Sequence, residues 1–285
     1  MPNKTANSAR KSGVSLPSFE TVLAAIGATI IIAIIVSAIF APWIAPYGEN
    51  ASVGGAYEPW SSQHVFGTDA IGRDILSRLI YGGRNTIGLA VAATCLAFLI
   101  GSALGTSAAV LGGWVDAVLG RFNDLMMAIP QLIFALLILT VVGSSALTLI
   151  IVIGVLESTR VFRLARSLSV SIVDQDFVEV AKLRGESLGW IVFREVVPVS
   201  FPNLLAEFGL RLGFVILFVS SLSFLGLGLQ PPTADWGALV RENASLIAFG
   251  DVTPLLPAGA IALMTVAINL VVDWYLEKIR RGSAL

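Results

Sequence analysis

Four stretches of this chain carry no Asp, Glu, Lys or Arg over lengths that match membrane-spanning helices. They cover residues 22–40, 86–110, 125–156 and 212–234. A helix needs about 20 apolar residues to cross the hydrocarbon core of a bilayer. Only 13% of the 285 residues are charged, whereas about 25% are charged in a typical soluble domain. The sequence therefore predicts an all-α, polytopic helical bundle in a membrane.

The third apolar stretch is too long for one ordinary span, and a Gly-Ser-Ser sequence at 143–145 lies near its middle. This predicts a hairpin of two helices, the second continuing through Glu157 toward Arg166. A further span over residues 253–274 completes a predicted set of six transmembrane helices. The first span is longer than the apolar core of a signal peptide, so we expect it to be retained.

The spans divide the chain into five predicted parts. These are a polar tail at 1–20, a first transmembrane helix at 21–41, an outer segment with an amphipathic helix at 42–85, a five-helix core at 86–277 that includes an inner loop at 167–203, and a short tail at 278–285.

The basic residues predict the orientation, because Lys and Arg concentrate on the cytoplasmic side of membrane proteins. Six spans put both termini on one side, together with Lys4, Arg10, Lys11, Arg121, Arg163, Arg166, Lys182, Arg184, Arg194, Lys278, Arg280 and Arg281. The other side receives only Arg73, Arg78, Arg84 and Arg241. Both termini and the inner loop are therefore predicted to be cytoplasmic.

Two pairs of charged residues fall near or inside the ends of the predicted spans. Glu157 and Arg160 are three residues apart, and Glu207 and Arg211 are four apart, so each pair shares a helix face. Charges at membrane depth normally pair or face a cavity. Local pairing near the cytoplasmic interface and a role in a transport path both remain open.

The inner loop contains the most charged helical pattern of the chain, at residues 176–198. Gly185 predicts the end of a first helix, because glycine adopts the left-handed conformation that closes a helix C-terminus. Ser187 predicts the cap of a second, short helix. Pro198 and Pro202 are expected to end that helix before the fifth span.

Each helix of the inner loop has a predicted face. In the first helix, one face carries Phe177, Val180, Ala181 and Arg184, and another carries Glu179, Lys182 and Glu186. The short helix presents Leu188, Trp190, Ile191 and Phe193, with little else to bury them. An apolar surface projecting into water usually marks a partner site. An amphipathic loop resting on lipid headgroups is the alternative interpretation.

The outer segment contains a second amphipathic pattern, predicted as a helix over 69–81. One face of this helix is an apolar stripe formed by Ile71, Ile75, Leu76, Leu79 and Ile80. The opposite face is polar and is formed by Arg73, Asp74, Ser77 and Arg78. Such a helix should lie in the membrane interface or against the bundle. Further along, "GLGLQPP" should end a helix, since Pro231 and Pro232 cannot continue one.

Several chemistries have no matching motif in this sequence. No G-x-x-x-x-G-K-[ST] run occurs, so the chain cannot cradle nucleotide phosphates by that mechanism. His64 is the only histidine and Cys95 the only cysteine, and no G-x-S-x-G nucleophile elbow or basic nucleic-acid stripe is present. The energy for any transport must come from another chain or from an ion gradient, which leaves a secondary transporter as the alternative function.

Three segments resemble the permease subunits of binding-protein-dependent ATP-binding-cassette (ABC) importers. "EVAKLRG" at 179–185 resembles their "EAA…G" loop, although Val180 stands where alanine is usual. "FGTDAIGRDILSRLIYGGR" at 66–84 and "SFLGLGLQPPTADWG" at 223–237 are similar to the dipeptide, oligopeptide and nickel group, specifically its shorter "C" permease.

This resemblance implies a subunit without its own ATPase site in the bacterial inner membrane, importing peptides or a related small solute. The implied partners are a homologous second permease, one or two ATPase subunits that carry the ATP and Mg, and an extracytoplasmic binding protein that the outer helix would help to receive. The implied ATPase-docking residues are Glu179, Ala181, Gly185, Glu186, Ser187, Leu188, Trp190, Ile191 and Arg194. Polarity alone suggests Ser220, Ser221 and Ser223 for the translocation path.

Overall fold

The computed structural model describes residues 19–282, and these form helices and loops with two isolated β-bridges. The predicted all-α class is confirmed. The helices are α1 (Phe19–Ile39), α2 (Ala41–Ile44), α3 (Ile75–Leu111), α4 (Gly113–Ala128), α5 (Gln131–Val142), α6 (Ala146–Val173), α7 (Asp176–Leu183), α8 (Leu188–Trp190), α9 (Val197–Phe224), α10 (Trp236–Asn243) and α11 (Leu255–Gly282). A π-helical turn (Ile191–Val196) joins α8 to α9, and a 3₁₀ helix (Ala244–Phe249) follows α10. Most of the predicted tail 1–20 and the end of the predicted tail 278–285 lie outside the described residues.

Four helices within this part of the chain are long and apolar enough to cross a membrane. They are Phe19–Ile39, Ile75–Leu111, Leu188–Phe224 and Leu255–Arg281. Helices α4 and α5 bend by 84° at their junction and count as a fifth if they form one broken span. Helix α6 has 28 residues but contains Glu157, Arg160 and Arg163, so its composition is not that of an ordinary span. By length and composition the described helices therefore give four to five candidate spans, and the predicted count of six is not confirmed.

The predicted hairpin around residues 143–145 is present, but its first arm is shorter than expected. Pro130 separates α4 from α5, so the arm contains only the 12 residues of α5. Gly143 adopts a φ of 92° at the turn, and the Ser145 side chain accepts a hydrogen bond from the Thr148 backbone N–H at 3.1 Å. This serine cap begins α6, which continues past Arg166 to Val173.

The outer helix predicted over 69–81 was wrong in its bounds and its exposed face. Helix α3 begins at Ile75 and runs for 37 residues, so it includes the second predicted span. Asp74 caps α3 by accepting a hydrogen bond from the Ser77 backbone N–H at 2.8 Å. Arg73, Asp74, Ser77 and Arg78 are buried, whereas Ile71 is exposed. The polar face turns inward because its arginines pair with nearby Asp69 and with Glu242, which is distant in the sequence.

The expected end of the short inner helix at Pro198 and Pro202 was also wrong. Leu188–Phe224 forms one 37-residue helix, with Pro198 in the first turn of α9 and Pro202 inside it. Membrane helices tolerate proline where neighbouring groups and local π-helical adjustments accommodate the missing N–H. Here the π-helical turn lies directly before Pro198.

Small residues allow α3 and α6 to pack at close range along the centre of the bundle. A Cβ added to Gly101 would lie 2.6 Å from the Ser158 carbonyl oxygen, and one at Gly105 would lie 2.5 Å from that of Phe162. Backbones that approach this closely have no room for a side chain, as is common between membrane helices. The main apolar core around this contact also includes residues of α9, α10 and α11.

Candidate functional site

The inner loop has the helix–glycine–helix structure predicted from its sequence. Gly185 has a φ of 78°, which a residue with a side chain adopts only with strain. The Gly185 N–H donates to the Lys182 carbonyl at 3.0 Å, and the Glu186 N–H donates to the Ala181 carbonyl at 3.2 Å. These two bonds form the Schellman closure of α7. Ser187 then caps α8 by accepting from the Trp190 N–H at 3.3 Å.

A small apolar cluster, here called the inner core, fixes this loop to the end of α6. Its buried members are Ile172, Val178, Ala181, Ile191 and Val196. The prediction that Ile191 projects into water was wrong, because its side chain is 0% exposed. The predicted face of α7 is also corrected: Val178 and Ala181 point inward, whereas Phe177 and Val180 are exposed.

Three of the exposed apolar side chains of the loop, all close in sequence to the Gly185 turn and the short helix, are here called the inner knob. Leu183 is 80% exposed, Phe193 is 74% exposed and Leu188 is 51% exposed. Sequence reasoning missed Leu183, although its place in the last turn before Gly185 was a usable signal. Trp190 is only half-buried beside the knob, and the Arg184 guanidinium carbon lies 5.8 Å from its ring centroid.

The polar members of the predicted docking set surround the inner knob. Glu179, Gly185, Ser187 and Arg194 are exposed, and Glu186 is half-buried. Leu188 and Phe193 also line an apolar hollow of about 470 Å³ between α3 and the start of the α8–α9 helix. Except for Ala181 and Ile191, which are buried, the predicted docking residues are therefore exposed or half-buried.

At the opposite end of the molecule, four charged residues form a buried group, here called the outer ion cluster. An Asp69 carboxylate oxygen accepts from Arg73 Nε at 2.6 Å and from Arg78 Nη1 at 2.9 Å. Glu242 of α10 accepts from Arg78 Nη1 at 2.6 Å and lies 3.5 Å from Arg73 Nη2. Arg78 is 0% exposed. Ion pairs of this kind hold the outer segment to α10.

The electrostatics of Asp69 follow from these contacts. Burial alone would raise its pKa, because it disfavours the charged form. Hydrogen bonds from the backbone N–H groups of Arg73 and Ile71, and then from the Arg73 guanidinium, outweigh burial and hold the pKa of Asp69 below its ordinary value. Asp69 is therefore an ionised partner of the arginines.

Other long-range bonds attach the outer segment to the loops after α9 and α10. Glu49 accepts from the Asn85 side chain at 3.1 Å and from the Ala234 N–H at 2.6 Å. Trp60 Nε1 donates to the Thr253 hydroxyl at 3.3 Å. This end of the protein is thus a cross-linked cap over the helices.

The three serines suggested for the translocation path do not share one surface. Ser221 is exposed and donates to the Leu217 carbonyl at 2.8 Å, whereas Ser220 and Ser223 are buried. Ser220 and Ser221 line a groove of about 430 Å³ between α9, α10 and α11. Ser223 lies under α10, where burial raises the pKa of Asp235 against the hydrogen bond that its carboxylate accepts from the Ala238 N–H.

The charged pairs inside the bundle form a larger network than local pairing predicts. Gln131 Nε2 donates to a Glu157 carboxylate oxygen at 2.5 Å, and Arg211 Nη1 lies 3.7 Å from the other oxygen. Arg211 also donates to Glu207 at 2.5 Å, and Arg160 lies 4.0 Å from Glu157. The buried Glu157 therefore links α5, α6 and α9.

Comparison with known proteins agrees with this architecture. A family model described as "Binding-protein-dependent transport system inner membrane component" matches residues 97–283. A second, the "N-terminal TM domain of oligopeptide transport permease C", matches residues 22–59.

Three curated relatives illustrate the similarity. The dipeptide transport system permease protein DppC of Alkalihalophilus pseudofirmus is 33% identical over 88% of this chain and 83% of its own length. The glutathione transport system permease protein GsiD of Escherichia coli is 35% identical over 88% of this chain and 84% of its length. The probable D,D-dipeptide transport system permease protein DdpC of Escherichia coli is 33% identical over 86% of this chain and 83% of its own length.

Proposed function

This chain belongs to the binding-protein-dependent transport system inner membrane components, as an ABC-importer permease of the oligopeptide C type, and we propose that its inner knob couples peptide import to ATP hydrolysis. It is a multi-pass inner-membrane subunit, and the ATPase activity of the system resides on separate subunits. The inner knob carries this proposal, because it combines exposed Leu183, Leu188 and Phe193 with a rigid attachment to the bundle.

The attachment of the knob explains how a partner's movement would reach the membrane. Leu188 and Phe193 belong to the continuous helix Leu188–Phe224, whose 37 residues give a length of about 55 Å at 1.5 Å per residue. A rigid helix of this length carries a displacement at one end to the other. Closure of ATP-loaded subunits around the knob would thus tilt α9, and this tilt would open the solute path alternately to the two sides of the membrane.

The proposed assembly contains a homologous second permease, one or two ATPase subunits that hold ATP and Mg, and an extracytoplasmic binding protein. The apolar knob suits a groove on an ATPase subunit, and the surrounding Glu179 and Arg194 suit its polar rim. The lipid bilayer surrounds the apolar helices. The cross-linked outer cap, with its own exposed residues Ile247 and Phe249, is the surface proposed to receive the binding protein.

We also propose that the bundle has six spans, with both termini in the cytoplasm. The broken pair α4–α5 is one span and α6 is another, since the charges of α6 pair with residues of α4, α5 and α9 rather than facing lipid. The distribution of Lys and Arg supports this orientation. The first helix 21–41, the core 86–277 and the inner loop 167–203 retain their predicted places in this scheme.

The solutes named for the three relatives are dipeptides, glutathione and D,D-dipeptides. All are small peptides that carry ammonium and carboxylate groups. We therefore assign small peptides to this importer. The separate binding protein would select among them.

The proposal is tested in proteoliposomes that contain the complete complex, with Leu188→Asp and Phe193→Asp as variants. We expect the parental complex to import a peptide with ATP hydrolysis, and the variants to lose both coupling and import while the chain still inserts. Purified chain alone should show neither ATPase activity nor uptake. Uptake by the chain alone, driven by an ion gradient, would instead establish a secondary transporter.

A further inference from the structure

Helix α6 carries a stripe of charges at a spacing of three residues, formed by Glu157, Arg160, Arg163 and Arg166. This stripe faces α4 along at least part of its length. Arg166 makes a two-bond contact with Asp116 of α4, one bond being 2.6 Å long. Arg163 lies 3.7 Å from the Met127 sulfur, also on α4. Two of these charges, Arg163 and Arg166, thus face α4.

Between the two helices is an open cavity of about 530 Å³, here called the arginine cleft. Its lining residues are mainly polar, namely Asp116, Asn123, Asp124, Arg121, Arg163, Arg166 and Ser167, with Ala117, Gly120 and Phe162. A second, separate cavity of about 210 Å³ lies further along α6 around Gln131 and Arg160, next to Glu157.

Helix α4 has two different faces, and the polar one lines the cleft. Asp116, Gly120, Asn123 and Asp124 share that face by their helical spacing. The other face is apolar and exposed, with Trp114, Val118, Phe122 and Leu125. Lipid or a partner helix would cover the apolar face, and Asp116 and Asp124 point away from it. Intramembrane charges that line a cavity commonly mark a substrate path.

The charges of the cleft are only partly satisfied within the protein. Asp116 neutralises Arg166, but neither Arg121 nor Arg163 has a carboxylate within ion-pair distance among residues 19–282. Asp124 makes no ion pair at such a distance in the same range, although it acts electrostatically on Arg166. The cleft therefore offers two guanidinium groups and one carboxylate to a ligand that carries both charges.

We propose that the arginine cleft is the inner section of the solute path, where Arg121 and Arg163 receive the carboxylate of a transported peptide and Asp124 its ammonium group. This inference rests on the proposed function and adds residues to it. Arginine suits the role because its planar group binds a carboxylate through two parallel hydrogen bonds. A phospholipid headgroup fits less well, since the apolar face of α4 lies on the side away from the cleft.

Site occupancy is measured directly with a cysteine at position 120, where an added Cβ meets no atom within 4 Å. Gly120→Cys is made in a Cys95→Ala background, and the detergent-solubilised complex is treated with an aqueous thiol reagent. Bound trialanine should slow modification of the introduced thiol several-fold, by the factor 1 + [L]/Kd, where [L] is the trialanine concentration. Trialanine amide should protect the thiol less. Arg163→Gln should remove most of the difference between the two peptides. Equal modification rates with and without trialanine would overturn the assignment.

Transport supplies the second arm, in phosphatidylcholine proteoliposomes with the binding protein and trialanine. Arg163→Gln should lower uptake roughly tenfold or more, the loss expected for one charge-assisted hydrogen bond, while stimulated ATPase activity is kept. Arg163→Lys should restore part of the uptake. Arg84→Gln, an exposed arginine outside the cleft, is the matched control and should change nothing.

The outcomes separate the two proposals. If the parental complex imports no peptide, the proposed function fails, and the labelling arm still decides whether the cleft binds one. If the parental complex imports trialanine and Arg163→Gln does so equally well, the cleft assignment alone fails. If protection and the Arg163→Gln defect appear only when phosphatidylglycerol is added, the cleft is a lipid site and the inference is wrong.

Discussion

The two ends of this molecule are held together by different forces. At the outer end, buried Asp69, Arg73 and Arg78 pair with half-buried Glu242 and so connect segments far apart in the chain, since Arg78 and Glu242 are 164 residues apart. At the inner end, the loop closes on itself through the Gly185 turn and packs on a small apolar core. The outer end therefore buries charged side chains, whereas the inner end exposes large apolar ones.

This difference indicates that the two ends have different mechanical roles in the protein. A network of buried ion pairs tolerates little rearrangement, because each charge that loses its partner is left unpaired away from water. A short loop fixed by a few apolar contacts and a continuous helix moves as a unit when a partner grips it. We therefore regard the outer end as a rigid cap and the inner end as the handle of the transporter.

The largest effect is expected when the outer ion cluster is broken. Arg78→Ala removes one of the two arginines that Asp69 and Glu242 share, and should destabilise the chain by about 3 kcal/mol, the lower end of the usual cost of unpairing a buried charge. Thermal unfolding of the purified complex measures this loss. Arg84→Ala removes an exposed arginine of the same helix and should leave the melting temperature unchanged. Equal melting temperatures for the two variants would show that the outer cap is not held by its charges.

A second prediction compares exposed apolar residues at the two ends. Phe193→Asp at the inner knob should reduce ATPase stimulation and uptake by at least about tenfold, since an interface hot spot contributes about 2 kcal/mol or more. The melting temperature should change little, because Phe193 is 74% exposed. Phe249→Asp, at an 85% exposed position beyond α10, should preserve ATPase binding. Loss of ATPase binding in Phe249→Asp but not in Phe193→Asp would reverse the proposed roles.

A third, smaller effect concerns the backbone conformation of the inner loop at Gly185. Gly185→Val forces a β-branched residue to adopt a positive φ at a local cost of about 1–2 kcal/mol or more. Membrane insertion should persist while uptake per ATP hydrolysed falls. Gly189→Ala is the control, because Gly189 is helical without a positive φ and an added Cβ meets nothing within 4 Å. If both variants transport at the parental rate, the turn at Gly185 is not needed for coupling.

The smallest effect tests the outer cap through pH. The folded-state pKa of Asp235 is raised by burial, so its contribution to stability is full at low pH and is lost as pH rises through that pKa. Asp235→Asn keeps the α10 cap, since Asn and Asp cap helices about equally well. The variant should thus gain stability over the parent as pH rises above the acidic range. Parallel pH profiles of melting temperature would contradict the burial of an ionised Asp235.

Features specified by neighbouring residues were predictable from the sequence. The Gly185 stop, the Ser187 cap and the turn at 143–145 depend on short-range hydrogen bonds and on glycine geometry, and all three are present. Three of the charge-free stretches likewise identified α1, α3 and α9 as spans, although α3 and α9 extend well beyond them, and the further span predicted at 253–274 corresponds to α11.

Features that depend on distant partners were not predictable. The polar face of α3 resembled a solvent-exposed surface because Glu242 is remote in the sequence. Ile191 was expected outside, but the π-helical turn that begins there changes which residues share a face, because its bonds join residues i and i+5. The two prolines gave the wrong helix end because a π-helical turn before Pro198 lets the helix continue. The arginine cleft requires α4 and α6 to lie side by side, which a charge pattern alone does not specify.

The most direct test places a photo-crosslinking amino acid at position 193 or at position 249 of the chain within the complete complex. Both native residues are large, apolar and exposed, so the two positions differ mainly in the end of the molecule they occupy. Our account predicts adducts with an ATPase subunit from position 193 and none from position 249. Adducts with an ATPase subunit from position 249, or with the extracytoplasmic binding protein from position 193, would contradict it.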